Sequence, residues 1–169
     1  SEGWRVASQL AQARIPVIAS ALNDLPATFE MLGATQSNIG RMKDAGVQVA
    51  IGMINDRDSH QLRYTTQYAG NIVSLQFVPG ATGLTWDEAF AAISSVPADI
   101  MGVGDRFGSL KAGKAADVVI WDGDPLELSS APVAVMIDGV QQPLDNRQAR
   151  LRDRYRTPQE GALPKAYER

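Results

Sequence analysis

The sequence predicts a mixed α/β chain, with a parallel βα part followed by a small antiparallel β segment that starts near residue 105. Three observations carry this. Two short apolar runs, IPVIASA (Ile15–Ala21) and VQVAIGM (Val47–Met53), flank a segment with helical periodicity. Such runs fit strands buried on both faces, and strand–helix–strand at this spacing is a βαβ unit with a right-handed crossover. After residue 105 the pattern turns to Gly-rich turns and short β-branched runs, closing on Asp138-Gly139, a two-residue hairpin signal.

Each element follows in order. Trp4 to Ala13 reads as a helix with Val6, Leu10 and Ala13 as its apolar positions. Pro16 sits where a strand start accepts it. Asn23 to Pro26 reads as a turn. Thr28 to Ala45 reads as one helix with Phe29, Leu32, Ile39 and Met42 on a broad apolar face, stopped by Gly46. Asn55 to His60 is a polar loop, and Leu62 to Phe77 is a helix broken by PGATG. Thr85 with Glu88 three residues on is a capping box for the next helix. Pro97 to Met101 is a further helical turn, ended by Gly102 and Gly104. Phe107 to Lys114 is turn-rich, and Val118–Trp121 and Val133–Ile137 are strands. Asn146 to Arg156 carries five Arg and reads as a helix, with a tail from Thr157 to Arg169. The expected division is therefore 1–104, 105–145 and 146–169.

Composition narrows the function classes. The 169 residues hold 16 Lys plus Arg and 19 Asp plus Glu, a net charge of −3, which argues against non-specific nucleic-acid binding. No run approaches the length of a membrane-spanning helix. The opening residues SEGWR do not read as a signal segment, and a processed signal stays open, so the compartment is left between cytoplasm and periplasm. With no Cys there are no disulfides, thiolate metal sites or Cys nucleophiles. With His60 as the single histidine, this chain alone builds no site that needs two.

GVGDRFGSLKAGKAADVVIWDGDPLE (Gly102–Glu127), followed by VAVMIDGV, resembles the C-terminal segment of the metal-dependent amidohydrolase superfamily. Upstream, DAGVQVAIG resembles the run into that family's last barrel strand, and GLTWDEAFAAISSVPADIMGV the helices after it. The likeness extends over most of the chain and is nearest to imidazolonepropionase-like amidohydrolases. It implies the C-terminal part of a (β/α)8 TIM barrel followed by a small antiparallel segment of a composite β-sandwich. Ile15–Ala21 would be the seventh strand and Val47–Met53 the eighth. It also implies one or two divalent metals, zinc foremost, that activate water for attack on a C–N bond of a small-molecule substrate. The family's His ligands follow earlier strands and would lie upstream of Ser1. The family's Asp after the eighth strand falls here on Ile54, which cannot bind a metal, and Asp56 stands two residues later. The resemblance thus implies a metal in the full-length family and none held by this chain by itself.

Asp56, Asp58 and His60 alternate, so an extended loop points all three one way. They read either as a remnant of a metal or substrate site or as a solvated loop. Asp56 is the candidate catalytic residue, and His60 and Arg63 are candidate substrate contacts, with Arg63 able to meet an anionic group. Ser59 beside His60 is not a nucleophile pair, because neighbours in sequence rarely share that geometry and no carboxylate is placed to orient the ring. Gly102 and Gly104 end a helix and lack the dinucleotide pattern, and Lys111 and Lys114 lack phosphate-loop spacing. Asp117 and Asp124 read as turn residues. The Arg cluster with Asp153 reads as a packed or salt-bridged helix more readily than as a nucleic-acid patch.

Part of a barrel exposes strand edges. The expected partner is the missing N-terminal barrel half, a second chain, or further copies pairing the same edges. Two functions remain open: a C-terminal portion of an amidohydrolase, inactive alone, or a non-catalytic structural or interaction module whose metal site is lost.

Overall fold

Two short parallel strands sit at the centre of the helical part. β1 (Val17–Ala19) pairs with β2 (Val49–Ile51) in the register Val17↔Val49, Ile18↔Ala50, Ala19↔Ile51. A computed structural model describes residues 2–21, 25–53 and 61–156 of the chain. All three residues of β2 are buried, as a parallel strand covered on both faces requires. The parallel pair matches the sequence expectation, with strands shorter than the apolar runs that announced them.

The crossover between them contains α2 (Asn38–Asp44). Ile39 and Met42 are fully buried, and Gly46 ends the helix with a positive φ of 88°. The expected single helix from Thr28 to Ala45 is not formed. A 3-10 turn at Phe29–Met31 is separated from α2 by residues 32–37, and Phe29 and Leu32 are 88% and 66% exposed. The cause is at Gly33. Its N–H donates to the Glu2 carboxylate and its carbonyl accepts from Trp4 Nε1 at 2.8 Å. That backbone is committed to the N-terminal segment instead of a helical ladder.

That segment is a 3-10 turn, Gly3–Val6, running into α1 (Ala7–Gln12). Trp4 anchors it: its backbone N–H donates to Asn38 Oδ1 at 3.0 Å, and the Arg41 guanidinium lies 4.7 Å from its ring centroid. Asn38 is buried yet satisfied by this bond.

Leu62–Phe77 forms a helical run as expected, built from two 3-10 turns flanking α3 (Thr65–Ser74). Its core face is Tyr68, Ala69, Ile72 and Leu75, whereas Phe77 is 82% exposed. α4 (Trp86–Ala92) starts at the expected capping box: Thr85 Oγ1 accepts from Glu88 N–H at 3.3 Å, and Glu88 accepts from Thr85 N–H at 3.0 Å. α5 (Ser95–Ile100) follows. The chain passes close to itself at two glycines. A Cβ on Gly40 would collide with the Thr82 carbonyl, and one on Gly83 with the Ile72 carbonyl.

The antiparallel sheet is β3 (Val118–Trp121), β4 (Pro132–Ile137) and β5 (Val140–Gln141), in that order. Asp138 and Gly139 both have positive φ, 51° and 76°, and join Ile137 to its partner Val140. The sheet is held to the helices by the turn after β3. Leu126 is buried, and its carbonyl lies where a Cβ on Gly70 of α3 would be. Upstream of the sheet, the Lys114 ammonium donates to Gly104 O at 2.5 Å, Ser109 Oγ at 2.7 Å and Phe107 O at 3.3 Å. All three of its protons are thereby used to close the Gly-rich turn.

α6 (Arg147–Arg156) has no buried residue. Its Arg150 and Arg152 pair with Asp145 and Asp153 at 3.1 and 2.8 Å, in solvent. The salt-bridged half of the expectation holds. The packed half does not: a helix with five Arg in ten residues has little apolar surface to bury.

Two measurements check this account. Gly70→Ala should destabilise the protein by about 1–3 kcal/mol in denaturant unfolding, because the added methyl has no room beside Leu126. Glu88 is held below its ordinary pKa of 4.5 by the Thr85 N–H and then by Lys43, whose ammonium lies 3.1 Å away. A depressed carboxylate contributes stability above 4.5 that is lost as pH falls below it. Glu88→Gln should therefore cost about 0.5 kcal/mol at pH 7, and the difference from wild type should vanish in acid.

Candidate functional site

The carboxyl ends of β1 and β2 open on the same side, because the strands are parallel. Ligands in open or closed parallel sheets bind outside these ends. β1 runs on into Ser20 and Ala21, both buried, and β2 into Gly52 and the buried Met53. The Gly52 N–H donates to the Ala19 carbonyl at 2.9 Å and keeps the two ends together.

Asp56, Asp58 and His60, and Ile54 with them, lie outside the described residues. Of the residues singled out from sequence, Arg63 is in view. It sits in the 3-10 turn before α3, exposed, with its guanidinium 5.0 Å from the Tyr64 ring centroid and Nη2 donating to Tyr64 Oη at 3.2 Å. Ser20 is a polar residue at the strand ends that sequence reading passed over, because it stands inside the apolar run IPVIASA. It is buried and already engaged.

Whether these residues fit a metal is a question of donors. Among the described residues no three His, Cys, Asp or Glu side chains gather in a group that could hold an ion. The sequence has one histidine and no cysteine. The described donor set therefore does not make a metal site by itself.

A groove of about 610 Å³ runs between α4–α5 and β3, with Trp86, Phe90, Phe107 and Trp121 in its walls. Trp86 and Phe90 stack at 5.1 Å between centroids. Trp86 Nε1 donates to both oxygens of Asp124, at 2.9 and 2.8 Å, and Asp124 Oδ1 also accepts from Leu126 N–H at 2.8 Å. Asp124 thus acts on its own turn, as Asp117 does by accepting from Asp138 N–H at 2.8 Å. Among the described residues, no helix is long and apolar enough to cross a membrane.

The Amidohydrolase family model matches residues 5–142, from the N-terminal helix through the antiparallel sheet. The chain belongs to the amidohydrolase family. This amidohydrolase-family chain is 50% identical over 60 residues to amidohydrolase tasK of Hapsidospora irregularis, covering 36% of the chain and 6% of that protein. It is 35% identical over 100 residues to imidazolonepropionase of Maricaulis maris (strain MCS10), covering 58% of the chain and 23% of that enzyme. Among solved structures it is similar to an amidohydrolase from Thermotoga maritima MSB8, with a TM-score of 0.71, 28% identity, and 82% of this chain matched to 34% of that one. It shares fold with an adenosine deaminase from Xanthomonas campestris with bound zinc, at a TM-score of 0.57 and 20% identity, over 90% of this chain and 38% of that one. The chain spans about a quarter or less of these curated relatives and about a third of the solved ones.

The Trp86–Asp124 bond joins α4 to the sheet. Trp86→Phe should cost about 1 kcal/mol in thermal unfolding, since a half-exposed bond to a carboxylate falls at the low end of its range. Asp124→Asn, which keeps an acceptor for both donors, should cost less than Asp124→Ala.

Proposed function

We propose that these 169 residues are the C-terminal portion of an amidohydrolase that hydrolyses amide or cyclic amide C–N bonds of a small molecule. In this reading residues 1–104 belong to the TIM-barrel hydrolase domain, with β1 and β2 as its last two strands. Residues 105–145 belong to the composite sandwich, and 146–169 form the terminal helix and tail. The observation that carries it is the fully buried parallel strand β2, which has one described parallel neighbour, in a chain matched to a third of a solved amidohydrolase. A barrel of eight strands does not close on two. The rest comes from an N-terminal barrel half in the same polypeptide, from a second chain, or from further copies.

In the family a divalent metal, zinc foremost, supplies an activated water. The described residues do not form that site, and in this reading the His ligands belong to the upstream barrel half. This chain contributes the strand ends that carry the loop with Asp56, the candidate catalytic carboxylate, and His60 and Arg63 as candidate substrate contacts. Arg63 suits an anionic substrate group.

Ile54, at the position where the resemblance expects an acidic ligand, favours a second reading: a structural or interaction module without metal. One set of experiments separates the two. The isolated chain should show no amide hydrolysis with zinc added, and turnover by it would overturn the fragment reading. A longer polypeptide that includes the upstream barrel should bind metal stoichiometrically, and Asp56→Asn in it should lower kcat by at least about 100-fold. Absence of metal from that longer protein in elemental analysis would leave the module reading standing.

A further inference from the structure

The Lys114 ammonium is held by neutral oxygens. It donates to the Gly104 carbonyl at 2.5 Å, to Ser109 Oγ at 2.7 Å and to the Phe107 carbonyl at 3.3 Å. Among the described residues no carboxylate forms an ion pair with it. Its neighbours in type differ: Lys43 pairs with Glu88 at 3.1 Å, and Lys111, in the same turn, is exposed. Backbone carbonyls and a hydroxyl converging on one charge are the ligands by which proteins replace the hydration shell of a monovalent cation.

These oxygens are held in place by bonds that do not involve the Lys114 side chain. The Val103 carbonyl accepts from both Arg106 N–H and Phe107 N–H at 3.0 Å, and Val103 N–H donates to the Ala98 carbonyl of α5 at 2.9 Å. Ala115 N–H donates to the Arg106 carbonyl at 2.9 Å and closes the neck of the turn. Gly108, with a φ of 84°, is seated on α5, where a Cβ would collide with Ala98 Cβ and the Ser94 carbonyl. The carbonyls of Gly104 and Phe107 therefore still converge when the amine is withdrawn. Negative dipole ends gathered in this way repel one another unless a cation stands between them. Asp99 adds a negative charge beside them, since a Cβ on Gly104 would collide with its carboxylate.

We propose that residues 104–114 form a cradle for one cation bearing N–H donors, filled in this chain by Lys114 itself, and that the cradle takes a free ammonium or primary alkylammonium ion when the Lys114 charge is removed. Every ligand of the cradle lies between Gly104 and Lys114. The inference thus rests neither on the proposed activity nor on any part of the protein beyond this turn and α5.

Lys114→Met removes the charge and keeps an unbranched apolar stem. In this chain, or in a longer polypeptide that carries it, the variant should melt about 3–10 °C lower than the unmodified protein. Ammonium chloride or methylammonium chloride should restore most of that loss. Tetramethylammonium chloride at the same concentration, equal in charge but without an N–H, should not, and the unmodified protein should not distinguish the three salts. A second measurement needs no variant. Acetylation of the native protein, followed by peptide mass spectrometry, should modify Lys114 at least about tenfold more slowly than Lys111, because the Lys114 amine reacts only after leaving its acceptors. The proposal is overturned by a Lys114→Met variant that melts with the unmodified protein, by the absence of recovery in ammonium, by equal recovery in tetramethylammonium, or by acetylation of Lys114 as fast as Lys111.

Discussion

Burial of β2 on both faces is the constraint on which the helical part depends. A strand whose three residues are all covered must have elements above and below it, and here α2, α4 and α5 lie against it. Its carboxyl end is thereby fixed in direction, and so is the point where the following segment departs. The close approaches at Gly40 and Gly83 follow from the same packing, since the loop before α4 has to run over α2 and α3 with no side chain between the backbones. Interiors packed to crystal density leave little freedom at such crossings.

The antiparallel sheet is joined to this framework by a few specific contacts. Leu126 fills the space beside Gly70, Trp86 donates to Asp124, and Lys114 ties the Gly-rich turn upstream. Leu126, Asp124 and Lys114 come from turns, and their partners Gly70 and Trp86 from helices. Lys114, Asp117, Asp122 and Asp124 in the most recognisable stretch of the sequence each serve a turn or a joint, and none of the described ones forms a catalytic cluster.

Membership of the amidohydrolase family and the partial span of its relatives bear on each other. The family's chemistry gathers donors from several strand ends, and the described residues of this chain hold two parallel strand ends, with one histidine in the sequence. Under the proposed function, Asp56 acts only with the other strand ends beside it.

What was legible in the sequence was local. The buried runs named both parallel strands, Thr85 and Glu88 named a capping box, and Asp138-Gly139 named a hairpin, because each is decided by residues within a few positions of one another. Asp56 and His60 were legible as chemistry-bearing residue types but not as a site, since a site is a matter of distances between distant segments. Tertiary structure alone decided the rest. It broke the helix expected from Thr28 to Ala45, because Trp4 and Glu2, about thirty residues away, claim the backbone of Gly33. It exposed Phe29, Leu32 and Phe77, whose spacing read as core, and left α6 bare. Periodicity states which residues share a face, and only the packing of the whole chain states what that face meets.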